Sequence, residues 1–463
     1  MKKIIALLLG TCAFTALFYH QDTGINFSLL AIFIWILLLV RAGKGKHTPS
    51  FRALSAALLL SALSFAWYGD AFSFFALYFS VLATGLHARF PRLKPVLYPL
   101  LVAWNYLSFV FRVFFFSYWL PKTKKGNRPG KRFIALFLIP AISGIAFTGI
   151  YAAGSDLLAR ILGRFYIGFD LFSLLLLTAL GFFFMFNYWL LWIPREALRL
   201  NQRLEDHFCS EKAKTPARPP AFPDPDTERK SGEISLIVVN LILVFFIFIY
   251  NYEQFFSGAG SLSREVHQRV ATIIISIVMA VGLLMFYFRS ALNFDPQAKL
   301  LKRLAFAWMG LNAILVLSAL LKNSEYIFRF GLTYRRIGVY IFLLLSLTGL
   351  VFTYLKIKHR RTNAYLANTM LRVFFGTFVI CSAVNFSWLV TACNIRFHKD
   401  RDIQYLQDMP YNHRLLYKTY HRDPAWQPYF KAQAGHIRTE QERSFLSSRL
   451  YYRFMDNEHS QRH

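Results

Sequence analysis

The sequence predicts an all-α fold, a polytopic transmembrane helical bundle with a small helical C-terminal extramembrane tail. Three observations predict it. Of 463 residues, 56% are hydrophobic and 17% charged, too few charges to cover a soluble surface around so much apolar mass. Apolar runs long enough to cross the hydrocarbon layer recur along the chain, and only a helix satisfies every backbone group there. Lys and Arg outnumber Asp and Glu by 53 to 24, and the excess lies mainly in loops between the runs. Four scattered cysteines (Cys12, Cys209, Cys381 and Cys393) exclude a disulfide scaffold.

The runs cover residues 4–19, 26–40, 53–68, 71–86, 96–119, 133–152, 167–193, 234–252, 270–288, 304–321, 337–355 and 373–392. The first follows Lys2 and Lys3 as a signal peptide would. No small-x-small cleavage site comes after it, so it reads as an uncleaved helix.

Basic residues set the orientation. With the N-terminus inside, loops 41–52, 87–94, 195–233, 289–303 and 356–372 share one basic side, whereas 20–25 and 69–70 carry no Lys or Arg. A crossing at 96–119 would put the basic stretch 121–132 outside and invert every later loop. It would also place Arg112 in hydrocarbon, at a cost of at least about 2.5 kcal/mol. Run 96–119 is therefore read as re-entrant or interfacial, leaving eleven spans, or twelve if it crosses, with the tail outside. On the eleven-span threading 32 of the 53 Lys and Arg lie inside and 8 in the outer loops, an asymmetry that decides the side. The basic loops are expected to meet anionic lipid headgroups. Nucleic acid is excluded as a partner, because no compact basic domain or RNA-binding signature is present.

Four regions follow: an N-terminal membrane half (1–194), a cytoplasmic linker (195–233), a five-span membrane domain (234–392) and an extracytoplasmic tail (393–463). Residues 195–207 are expected to continue the seventh segment's helix, and Pro216, Pro219, Pro220, Pro223 and Pro225 to keep 215–231 non-helical. In the tail, 440–456 reads as a helix with Phe445, Leu446, Leu450 and Phe454 towards one face. A tail of this size makes only a marginal core, so it is expected to cap the loops or the membrane surface.

Metal and cofactor motifs are missing. The one His-x-x-x-His pair, His459 and His463, lacks the Glu of a zinc motif, and no Cys-x-x-Cys occurs. His413 and His421 read as solvated. Nucleotide loops and a serine nucleophile elbow are absent too. Asp22, in the first outer loop, is a candidate acid of a lipid-linked transferase or an ordinary loop residue. Asn105, Asn187, Asn240, Asn312, Asn385 and Asp170 fall within apolar runs, where interhelical hydrogen bonds of about 0.6 kcal/mol each account for them.

Polar residues gather on the outer side of the C-terminal half, at 263–267 and 323–336. Gly331 can end a helix and Thr333 can cap the next. Arg335 and Arg336 then sit at the wrong end of that helix's dipole, and need a partner such as Glu265, Glu325 or an anionic ligand. The candidate ligand-binding set is Glu265, His267, Glu325, Thr333, Arg335 and Arg336; an ion-paired clamp between helix ends is the alternative.

Gly331-Leu332-Thr333-x-x-Arg336, Glu265-Val266-His267 at the start of a span, the stretch from Asn385 to Asn394, and Asp402-Ile403-x-Tyr405-Leu406 also carry a resemblance. Over about residues 234–420 the chain resembles an uncharacterised family of bacterial polytopic inner-membrane proteins, defined by a domain of unknown function. The resemblance implies a bacterial inner (cytoplasmic) membrane location and no established activity. Three functions remain open: a non-enzymatic envelope scaffold or sensor whose outer face engages a lipid, peptide or protein; a transporter or flippase of an amphiphile; and a membrane-embedded lipid-linked transferase with Asp22 or Glu265 as base. A continuous polar cavity to mid-membrane marks the second, and an outer pocket joining a carboxylate to Arg336 marks the third.

Overall fold

The computed structural model describes residues 3–42, 48–115, 171–208, 225–255, 264–289, 291–397 and 403–455, with isolated positions between 140 and 155; for 264–272 it gives the backbone alone. Among the described residues the regular structure is helical, without a β-strand.

The N-terminal half contains α1 (Lys3–Phe18), α2 (Ile25–Ala42), α3 (Pro49–Tyr68), α4 (Ala71–Arg89), α5 (Tyr98–Leu107), α6 (Phe109–Phe114), α7 (Leu171–Trp189) and α8 (Arg195–Arg203). Local chemistry sets the α3–α4 hairpin. Thr48 caps α3 ahead of Pro49, Gly69 closes it in the left-handed region at φ 63°, and Asp70 accepts from the Ser73 N–H at 2.7 Å to start α4. Helices α1, α2 and α7 pack around Leu7, Phe14, Ile34, Phe186 and Trp189.

The C-terminal half contains α9 (Pro225–Phe255), α10 (Arg264–Tyr287), α11 (Lys299–Phe330) and α12 (Tyr334–Lys358), around Leu243, Ile277, Leu301, Leu315 and Leu343. Helix α13 (Asn363–Ala383) packs on α12 and also on α3 and α4, with the Phe72 and Phe378 rings 4.3 Å apart, and so joins the two halves. After α14 (Phe386–Phe397) the tail forms α15 (Ile403–Gln407), α16 (His413–Tyr420), α17 (Gln427–Glu442) and α18 (Leu450–Arg453). Helices α3, α4, α7, α9, α11, α12 and α13 are long and apolar enough to cross a membrane; α1, α2 and the second part of α10 are shorter apolar helices. The chain is a multi-pass integral membrane protein.

The connections gather at two opposite ends. At one, the tail meets the loops: Asp22 N–H donates to Ser447 Oγ at 2.8 Å, Tyr411 hydroxyl to the Tyr68 carbonyl at 2.6 Å, and Tyr334 N–H to the Tyr405 hydroxyl at 3.0 Å. At the other lie basic loops, with Lys94 and Asp206 3.7 Å apart, Arg229 and Asp295 3.3 Å apart, and Thr362 donating to the Glu205 carbonyl.

Within the described part of run 96–119 the helix breaks at Ser108, between α5 and the six-residue α6. There Arg112 donates to the Asn105 side chain and, at 2.9 Å, to the Leu190 carbonyl just past the end of α7, where the helix dipole favours a cation. Several other sequence expectations are corrected. Helix α7 does not continue into 195–207, because α8 starts afresh behind Pro194, whose ring removes the N–H that a continuous helix needs. Residues 225–231 are helical, since Pro225 sits at the first position of α9, followed by Asp226 and Glu228 in its first turn. Run 373–392 is interrupted after Ala383, where Asn385 Oδ1 accepts from Trp388 N–H and begins α14. Residues 440–456 form no single helix: α17 ends at Glu442 and a 3-10 turn, Phe445–Ser447, capped by Ser444, precedes α18. His413 is buried against Gln433 instead of solvated. Most of run 133–152, stretch 121–132, residues 215–224 of the linker and Asp170 lie outside the described residues.

Candidate functional site

The turn between α11 and α12 is held from three directions. Gly331 has φ 81°, a conformation that a side chain resists. Asn394 of α14 accepts from the Leu332 N–H at 2.6 Å and donates to its carbonyl at 2.9 Å. Thr333 caps α12 by accepting from Arg336 N–H at 3.4 Å, and the Arg336 guanidinium donates to the Gly331 carbonyl within about 6 Å of both the Tyr326 and Phe330 rings. Among the described residues the partner of Arg336 is thus the C-terminal carbonyl end of α11, where a cation is favoured, and not a carboxylate.

Among the described residues, neither Glu325 nor Arg335 bonds to Arg336. Glu325 pairs along its own helix with Lys322 at 2.9 Å and Arg329 at 2.6 Å. Arg335 is exposed. Glu265 and His267 lie in the first turn of α10, and their side chains are outside the described residues. Asp22 is exposed, while its backbone receives the Asn26 amide at 2.8 Å and donates to Ser447. Of the asparagines within the apolar runs, Asn240 reaches another helix at Leu304, whereas Asn187 and Asn312 bond to carbonyls of their own helices.

Beside this turn a cleft of about 580 Å³ opens between the α3–α4 hairpin, α12, α13 and the tail. Its size is within the range of small-ligand sites, about 300–1,000 Å³. Phe72, Ile341, Leu345, Phe374 and Phe378 make its walls, and Tyr68, Asp70, Tyr334, Asn385, Ser387 and Tyr411 supply its polar groups. The polar groups are positioned by one another. Tyr334 and Ser387 share a hydroxyl–hydroxyl bond, and Asn385 donates to the Tyr411 carbonyl at 3.1 Å. Tyr411 itself has φ 60°, a strained conformation for a bulky residue, fixed by its bonds to Tyr68 and Asn385. Burial, and then the neighbouring Tyr452, push the Tyr411 phenol above its ordinary range, so it stays a hydrogen-bond donor. Burial likewise pushes Tyr429, also in the tail, up to about 12. Glu325, Thr333, Arg335 and Arg336 do not line the cleft, and the side chains of Glu265 and His267 are outside the described residues. Its residues come from segments more than 300 positions apart, with no shared motif to announce them.

Among the described residues no group of three or more His, Cys, Asp or Glu is placed to hold a metal ion. No curated protein and no solved structure matches the chain significantly. A family model does match, over residues 4–417, and so reaches through the N-terminal half as well as the part where the motifs lie. By that match the chain belongs to the family described as a domain of unknown function (DUF4153).

Proposed function

We propose that the protein is a non-enzymatic scaffold or sensor of a bacterial inner membrane, with a cytoplasmic N-terminus and an extracytoplasmic tail that engages a lipid, peptide or protein partner. The observation that carries this reading is the tail itself. It is fastened by hydrogen bonds to loops of both membrane halves, at Asp22, Tyr68, Tyr334 and Asn385, so a force or ligand acting on it is felt by both. The basic loops at the opposite end support the orientation through the positive-inside bias and offer contacts for anionic headgroups. The motif residues Gly331, Thr333, Arg336 and Asn394 are spent on backbone bonds, which suits a structural joint better than a reactive centre.

A transporter or flippase of an amphiphile is the second reading, favoured by the placement of the cleft at the seam between the halves. Its walls are apolar, which argues against a polar solute path. The transferase reading asks for a carboxylate joined to Arg336; Asp70 lines the cleft and Arg336 does not.

Two experiments test the proposal. In a chain whose native cysteines are replaced by serine, Lys431→Cys should react with an impermeant maleimide from outside and Lys125→Cys should not; the reverse pattern overturns the orientation. In reconstituted vesicles, lipid translocation and solute flux should equal those of protein-free controls, and a clear rise in either would establish the transporter instead.

A further inference from the structure

We propose that the cleft between α12 and α13 holds one acyl chain of an amine-headed phospholipid from the leaflet at the tail end, an assignment that deepens the sensor reading and rests on its orientation. The first argument is length. From Tyr334 to Leu345 the lined stretch of α12 is about 16 Å long at a rise of about 1.5 Å per residue. That is about half of the roughly 30 Å hydrocarbon core, the depth of a single leaflet. The second is shape. Gly338 lines the cleft from inside α12, and a Cβ built on it would meet nothing within 4 Å. Glycine weakens a helix interior, so here it leaves room along a wall that a side chain would fill. The third is charge. Among the described lining residues Asp70 is the one carboxylate, and none is Lys or Arg. One of its oxygens caps α4 through Ser73, and the other makes no hydrogen bond among the described residues. A carboxylate oxygen beside neutral hydroxyls accepts from an ammonium and repels a phosphate.

The test uses the full chain in nanodiscs containing phosphatidylethanolamine or phosphatidylglycerol, each carrying the same photoreactive diazirine in its acyl chain. Cross-links should concentrate in 334–345 and 374–387, with the ethanolamine lipid labelling about fivefold more than the glycerol lipid, as a half-exposed ion pair supports. Asp70→Asn keeps an equally good helix cap and should abolish that preference while chain labelling persists. Gly338→Phe should remove labelling by both lipids. The proposal is overturned if the two lipids label wild type equally. It is also overturned if the cleft labels no more densely than the exposed α9 residues Leu241, Phe245 and Phe248, a comparison that needs no variant. Either result leaves the sensor reading standing, whereas translocation of the probe lipid would sink that reading separately.

Discussion

Lys356 donates to the Phe288 carbonyl at 3.1 Å from a side chain only 1% exposed, an ammonium laid on the C-terminal end of α10. The same carbonyl accepts from Asn293 at 2.7 Å, so removing the lysine leaves it satisfied. Lys356→Met, which keeps the volume and discards a buried charge, should therefore match or exceed wild-type stability to within about 1 kcal/mol. Lys356→Ala should lose about 2–4 kcal/mol to the cavity. Thermal unfolding of the detergent-solubilised protein distinguishes them, and equal losses would mean that the charge itself is needed.

Gly331 and Gly338, seven positions apart, should respond oppositely to alanine. At Gly331 the backbone is left-handed at φ 81° and the new Cβ would lie 2.7 Å from Asn394 Oδ1. Gly331→Ala should cost about 1–3 kcal/mol. Gly338→Ala enters open space within a helix and should gain about 0.5–1 kcal/mol. The same unfolding assay reads both, and a neutral Gly331→Ala would remove the turn from the structural joint.

Arg336→Ala should destabilise more than Arg335→Ala. The first loses a charge-assisted bond to the Gly331 carbonyl and two ring contacts, about 1.5–3 kcal/mol, while exposed Arg335 should stay within about 0.5 kcal/mol of wild type. Expression level and melting temperature in one detergent give the comparison, and equal values for the pair refute it.

Acidification should loosen the tail through His413. Burial, then its neighbour His436, hold the imidazole below the ordinary 6.5, and the Gln433 bond opposes them only in part. A depressed folded value means that stability is complete above about pH 6.5 and is lost as pH falls through the folded value, because the unfolded chain binds the proton more readily. Hydrogen-exchange protection over 403–455, corrected for the intrinsic pH dependence of exchange, should fall as pH drops from about 6.5 to 5, and His413→Gln should flatten the response. An unchanged pH profile in that variant would reject His413 as the source.

The spans were readable because hydrocarbon leaves the chain one choice of backbone, so Leu- and Phe-rich runs declare themselves. Gly331 and Thr333 were readable too, since a left-handed stop and a side-chain cap are local chemistry. The partner of Arg336 was not, because a helix's terminal carbonyls carry partial charge that residue types do not display. The break at Asn385 hid inside a hydrophobic run, where nothing local marks a cap that is completed by Tyr411 in the tail. His413 looked solvated for a similar reason: its cover, Gln433 and Tyr452, comes from later turns of the tail. The cleft was invisible, since tertiary packing alone brings Asp70 beside Ser387.

The bond between Asp22 and Ser447 joins positions 425 apart. At about 5–20 residues per second, translation delivers Ser447 some 20–85 s after Asp22. For that interval the first hairpin waits in the bilayer without its closing strap. A chain truncated before Ser447 therefore lacks the strap over Asp22 and leaves that end of the bundle open to proteases.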